Sequence, residues 1–267
     1  HTGGAGGGGP GRRRGVVGVK KGRSYSSQVL ASILVNSVYE MKNYPINLVN
    51  TVLSPLSFLV VIDFVSKGAL VGQAIEGGLI MSMFQSGMSL QGDISHLKND
   101  FKLQDMLVSS PASPAAYVVG MAASEIIYNL PALAILVVLG GFYIHPSAFQ
   151  AIELAAALAL MFLTSITIGF MFATLSSDIV QSFAWSRLLT TIFTAITPVY
   201  YPITYIPFPF RYLAYLSPTT YVAEIMQNAA GFLKLSESAQ IADWAVIVGL
   251  AAILLVVVSR NARWKEA

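Results

Sequence analysis

Phe149-Gln-Ala-Ile-Glu-Leu-Ala-Ala-Ala-Leu-Ala-Leu-Met-Phe-Leu-Thr-Ser-Ile-Thr-Ile-Gly-Phe-Met-Phe-Ala-Thr174 carries a single charged residue, Glu153. An α-helix rises about 1.5 Å per residue, so about 20 apolar residues cross a hydrocarbon core of about 30 Å. This run is long enough to do so. Outward from it, five further stretches qualify, at approximately 45–66, 71–91, 115–139, 181–203 and 241–259. An open strand in lipid would leave backbone groups unpaired, at several kcal/mol each, and none of the runs has the two-residue alternation of a barrel strand. The sequence therefore predicts an all-α integral membrane protein, a bundle of six transmembrane helices.

Composition agrees. The 267 residues are 55% hydrophobic and only 11% charged, with mean hydropathy +0.65, whereas soluble domains carry about 25% charged residues. The apolar residues fall in long blocks, not in the short stripes of a water-soluble core. The absence of cysteine excludes disulfides, thiolate metal sites and a cysteine nucleophile.

Lys and Arg set the orientation, because short loops rich in them stay cytoplasmic. Arg12, Arg13, Arg14, Lys20, Lys21, Arg23 and Lys42 precede the first span. Lys98 and Lys102 follow the second, and Arg260, Arg263 and Lys265 follow the sixth. The other side has Lys67, Arg211 and Lys234. The expectation is a multi-pass protein of the cell membrane with both termini cytoplasmic. Its basic pI reflects this placement and not a nucleic-acid surface.

Residues 1–24 read as a disordered Gly/Arg-rich tail or an expression remnant, and 25–267 as the membrane domain. Between Tyr25 and Asn43, Val29, Leu30, Ile33, Leu34, Val38 and Met41 fall on one helical stripe. This predicts an amphipathic helix in the cytoplasmic interface. The alternative is an extension of the first span, against which Pro45 argues.

The connection 92–107 holds five charges, and Leu97, Phe101, Leu103, Met106 and Leu107 can share one face while Lys98, Asp100, Lys102 and Asp105 stay wet. It reads either as a short amphipathic helix offered to a soluble partner or as a solvated loop. Residues 198–224 begin with four prolines in twelve positions, which rule out one continuous helix. Tyr200, Tyr201, Tyr205, Phe208, Phe210 and Tyr212 there fit a headgroup-level aromatic belt.

Two phrases in these segments, Lys-Leu-Gln-Asp-Met-Leu-Val-Ser-Ser-Pro-Ala-Ser (102–113) and Tyr201-Pro202 through Pro207 to Leu-Ser-Pro-Thr-Thr-Tyr-Val-Ala-Glu (216–224), join with the order of spans in a resemblance. Over residues 25–265 the chain resembles the transmembrane subunit of type-2 ABC exporters, the permeases of drug, antibiotic and polysaccharide export. It departs in having His96-Leu-Lys98-Asn where the family often has a Glu-Arg pair.

The resemblance implies a translocation path formed with a second permease copy or paralogue, in the lipid bilayer, above two P-loop ATPase subunits that bind ATP and Mg. This chain would hold no cofactor itself. Asp93, Leu97, Lys98, Phe101, Lys102, Leu103 and Asp105 would couple to the ATPase, together with the helix 25–43. Glu125, Tyr201, Pro202, Pro218, Tyr221 and Glu224 would serve gating or structure, the last five around an outer re-entrant helical hairpin before the last span.

The chemistry of the chain points the same way. It has no G-x-x-x-x-G-K-[ST] loop, no H-E-x-x-H and no G-x-S-x-G, and its histidines, His1, His96 and His145, are far apart. It is not expected to be an enzyme alone, so an ATPase must be a separate polypeptide. Intramembrane ionisable groups are functional suspects by default, here Asp63, Glu76, Glu125, Glu153, Arg187 and Glu224. Asp63, Glu76 and Glu153 fall near span ends, where snorkelling to water is easy. Glu125 lies deeper, on a helix expected to break near Asn129 and Pro131, and should face protein or a cavity. Two rival readings are an ion-coupled secondary transporter with Asp63, Glu125 and Arg187 as its relay, and a noncatalytic membrane scaffold.

Overall fold

The computed structural model describes residues 24–99, 114–176 and 178–261, and among them every regular element is helical. The chain opens with α1 (Tyr25–Ile33), a π-helical turn (Leu34–Tyr39) and α2 (Glu40–Asn43), continuous with one another. The long helices follow: α3 (Pro45–Ser66), α4 (Val71–Asn99), α5 (Pro114–Tyr143), α6 (Ala148–Leu175) and α7 (Ile179–Ile196). After a 3-10 turn (Ile203–Tyr205) come α8 (Arg211–Ala214), α9 (Pro218–Ala229) and α10 (Glu237–Asn261).

Local chemistry sets the helix ends. Tyr44 leaves helical geometry at φ −127°, ψ 61°, and Pro45 stands at the first position of α3, where its missing N–H is not needed. The 25–43 helix is thus separate from α3 and does not extend it. At the other end Lys67 and Gly68 are left-handed (φ 53° and 85°), and the Gly68 N–H bonds the Asp63 carbonyl at 3.1 Å. That turn folds α4 straight back along α3. Ser147 caps α6: its Oγ accepts from the Gln150 N–H at 3.4 Å, while Gln150 Oε1 accepts from the Ser147 N–H at 2.8 Å.

The bundle is built around α4, which packs against α3, α5, α6, α7 and α9. From Val71 to Ser95 only Ser89 and Asp93 are exposed. Ile75, Ile80, Phe84 and Met88 pack with Leu136 of α5, Met161 of α6, Val222 and Met226 of α9 and Ile247 of α10 in one core. Apolar surface is turned outward instead on α3 (Val60, Val61, Phe64, Val65), α7 (Val180, Leu188) and α10 (Ile253, Val256). In lipid such faces incur no penalty, because the surrounding chains are as apolar as leucine.

Helices stand at all six expected places, but among the described residues only α3, α5, α6 and α10 contain stretches long and apolar enough to cross a membrane. The expected second and fifth spans fall on α4 and α7. Helix α4 is enclosed by protein, so it can bury Gln73, Glu76, Ser82, Ser86, Gln91 and Ser95. Helix α7 has 18 residues and ends at Ile196, seven positions before the expected boundary, where Thr197 turns to extended geometry ahead of Pro198. The expected break at Pro131 is absent, since α5 runs through it. Proline removes one N–H from such a helix, which a helix packed in a bundle tolerates; Asn129, two residues earlier, ties α5 to α4. Snorkelling does not apply to Glu76, which is 1% exposed with neither oxygen hydrogen-bonded.

Helix α1 packs on α5 through its small polar face. Ser32 and Ser37 are buried, Ser32 Oγ donates to the Tyr117 carbonyl at 3.1 Å, and a Cβ on Gly120 would come within 2.4 Å of Ser32 Cβ. Of the apolar stripe, Leu30, Leu34 and Val38 point away from the bundle, and Val29, Ile33 and Met41 are half-buried.

Helices α4 and α6 approach most closely at Gly87 and Gly169. A Cβ on Gly87 would lie 2.2 Å from Ser165 Oγ and 2.7 Å from the Ile166 nitrogen, and one on Gly169 would lie 3.0 Å from the Gly87 carbonyl oxygen. Gly87→Val is expected to destabilise the bundle by overpacking, on the order of 1–3 kcal/mol, whereas Gly249→Val, with nothing within 4 Å of its Cβ position, should change little. Thermal melts of the two purified variants against the parent would check this, and equal losses would refute the close contact.

Candidate functional site

Several polar groups of α4 reach partners across helix interfaces. Gln91 Nε2 donates to the Ser182 carbonyl and, at 2.8 Å, to Ser182 Oγ, which also bonds Ser95 Oγ at 2.8 Å. Asn129 Nδ2 donates to the Ser82 carbonyl at 3.0 Å and to Ser86 Oγ. Ser165 Oγ donates to Met83 O at 3.3 Å. One helix is thereby pinned to α5, α6 and α7 by buried and part-buried bonds, which a low local dielectric strengthens.

Three carboxyls from three elements meet at the end of the bundle that holds the N-terminal helix. Ser89 Oγ donates to Glu125 Oε2. Asp93, one turn along α4 from Ser89, faces Glu125, and Glu40 of α2 faces both. The Glu40 carboxyl is pushed above its ordinary range by burial first and by the charge of Asp93 second. Glu125 thus faces protein, as expected of an acid inside a helix crossing lipid.

At the opposite end, α9 is wedged against α4, α6 and α10. Ser217 caps it and Pro218 begins it. Gln227 Nε2 donates to the carbonyls of Pro198 (3.2 Å) and Tyr201 (3.4 Å), which ties α9 to the irregular segment after α7. Tyr201 stacks on Tyr205 with ring centroids 6.5 Å apart, and Pro202 is buried beside it. Tyr221 Oη donates to the Tyr215 carbonyl at 2.8 Å, and Tyr215 Oη donates to Glu224 Oε1 at 3.0 Å. Glu224 also meets Asp243 of α10. Tyr201, Tyr205, Pro207 and Phe210 line an apolar cavity of about 490 Å³ at the end of α7.

The expected gating residues therefore divide. Tyr201, Pro202, Pro218, Tyr221 and Glu224 gather around α9, while Glu125 belongs to the other end. Of the expected coupling residues, Asp93 joins Glu125. Leu97 and Lys98 occupy the last turns of α4, where their side chains are not described, and Phe101, Lys102, Leu103 and Asp105 lie outside the described residues. Asp63 and Arg187 are exposed, and Glu153 accepts hydrogen bonds from Gln240 and, at 3.4 Å, from Trp244 Nε1. Sequence reasoning missed Tyr215 and Asp243. Asp243 had a signal, since it is an acid inside the last apolar run, the same criterion that selects Glu125.

The sequence profile of the ABC-2 type transporter family matches residues 28–230, most of the chain. The chain belongs to the ABC-2 type transporter family. No curated protein matches it. As an ABC-2 type membrane component it is a multi-pass membrane protein and a permease subunit. Both carboxyl clusters have members within the matched region.

Glu40 holds its proton more tightly folded than unfolded, so its contribution to stability is complete below pH 4.5 and is lost as pH rises through its folded value. Glu40→Gln, which keeps the shape and removes the charge, should flatten the fall of melting temperature above pH 4.5. Melts of the detergent-purified pair across that range give the answer, and an unchanged slope would remove Glu40 from the cluster.

Proposed function

We propose that this permease is the transmembrane subunit of an ATP-driven exporter, paired with a second permease copy or paralogue above two separate P-loop ATPase subunits that bind ATP and Mg. The observation that carries the reading is the ABC-2 match over most of a chain that lacks a phosphate-binding loop of its own.

In this reading α3, α4, α5, α6, α7 and α10 are the six spans, and α4 crosses inside a protein sheath. Both termini are cytoplasmic, as the placement of Lys and Arg favours, and the membrane is the cell membrane. Helix 25–43 then lies in the cytoplasmic interface with Leu30, Leu34 and Val38 towards the headgroups. Asp93, Leu97, Lys98, Phe101, Lys102, Leu103 and Asp105 receive the motion of the ATPases. The segment from Tyr201 and Pro202 through Pro218, Tyr221 and Glu224 forms a re-entrant hairpin that gates the outer side.

A ligand moves a conformational equilibrium only by its differential affinity for the two states. ATP on the partner subunits can drive this permease only if its inward and outward forms hold the ATPases differently. The coupling segment is where that difference arises. Asp93, through Glu125 and Glu40, connects it to α5 and to the N-terminal helix.

The test is ATP hydrolysis by the candidate ATPase in lipid vesicles, alone, with this chain, and with Phe101→Asp/Leu103→Asp in a chain still folded by size exclusion. Binding and an altered rate, both lost in the double variant, are the expected result. A folded chain that neither binds the ATPase nor changes its turnover would overturn the reading and turn attention to ion-coupled transport.

A further inference from the structure

The ends of α9 and the middle of its length behave differently. Its two ends are turns, Ser217-Pro218 before it and left-handed Gly231 (φ 85°) after it. Its twelve residues reach about 18 Å, too short to cross a core of about 30 Å. In its middle, Glu224 is 4% exposed and meets Asp243, which is 6% exposed on α10. One Glu224 oxygen is occupied by the hydroxyl of Tyr215 at 3.0 Å.

Ionised carboxylates only accept hydrogen bonds. Two of them cannot bond one another directly unless a proton lies between, and without it two like charges face each other in a medium that screens poorly. Among the described residues no cation relieves them. Asp243 Oδ2 is buried without a partner. The ionisable groups acting on the pair are Tyr215 and, facing both acids, Tyr221, and neither is a cation. The other helices packed on α9 contribute Glu76 from α4 and Glu153 from α6. Glu153 is held by Gln240 and Trp244, and neither acid figures among the charges acting on Glu224.

We propose that Glu224 and Asp243 form a proton-binding latch that fastens α9 to α10, closed while one proton bridges the two carboxyls and released when it leaves. No third His, Cys, Asp or Glu joins the pair among the described residues, so the site suits a proton better than a metal cation. Release leaves two buried charges with no counter-charge among the described residues, and parting the two helices gives them water. The latch rests on the membrane fold alone and not on the ATPase partnership, so it is tested without the partner.

The cysteine-free chain allows a single reporter. Ala223→Cys places a thiol next to Glu224 at a position fully buried on α9. Its alkylation rate is read in lipid nanodiscs across pH and normalised to exposed Ser238→Cys, which corrects for thiol ionisation. Burial, then the charge of Asp243, raises the Glu224 carboxyl to about 7, so the normalised rate is expected to rise several-fold as pH passes that value. Glu224→Gln supplies a permanent donor to Asp243 and should keep the rate low throughout. A rate independent of pH in the folded chain, or one that rises equally with Glu224→Gln, overturns the latch. Infrared spectra of the unsubstituted chain give an independent check. A carboxylic-acid carbonyl band below pH 7 that Glu224→Gln removes is the expected result, and its absence overturns the proposal.

Discussion

A polar group inside a membrane protein has no water to turn to, and α4 is organised by that constraint. Buried donors of Gln, Asn and Ser side chains look for partners in the adjoining helices, and the amide N–H groups of Gln91 and Asn129 and the hydroxyl of Ser165 find backbone carbonyls and hydroxyls across interfaces. Individual interhelical bonds of this kind are worth only about 0.6 kcal/mol on average. Their larger effect is selective, because a rotation of α4 about its axis would strand several donors at once. Gly87 and Gly169 act with them by letting the backbones approach until dispersion contacts are dense.

The same constraint explains why the carboxyls lie where they do. Glu125, Asp93 and Glu40 collect at one end of the bundle, and Glu224 with Asp243 near the other, each group bridging helices that are distant in sequence. Acids buried in this way weaken the packing whenever they ionise. Their positions are therefore at seams between elements and not inside the α4–α6 contact. The middle of the bundle is held by neutral groups, and its ends by groups whose charge depends on conditions.

Hydropathy revealed the helices but not their roles. The run ending at Thr174 and the last apolar run were legible because length and apolarity determine a lipid-facing helix almost by themselves. Helix α4 was legible as a helix and not as the centre, since nothing in a linear scan distinguishes enclosure by protein from contact with lipid. Its serines and glutamines, which lower its hydropathy, are the sign of that enclosure. Pro45 marked a true boundary because the residue before it is pushed out of helical geometry, whereas Pro131 did not, because one missing N–H inside a long packed helix does not end it. Glu76 was misplaced for a related reason: distance from a span end along the sequence says nothing about the helix packed over it. Glu224 was identified through its phrase, but its partner Asp243 lies 19 positions on, and only packing brings the two together.

The joint at Tyr44 has a mechanical meaning. Helix 25–43 meets α3 through one non-helical residue but is seated on α5 through Ser32, Ser37 and Gly120. A single-residue joint transmits little torque, while a packed interface transmits both push and twist. Any displacement of that helix travels into α5, and from Glu125 through Ser89 into α4, while α3 is left to follow. The helix closest in sequence is thus not the one the segment is chiefly seated on, and the lever arm of the N-terminal segment is α5.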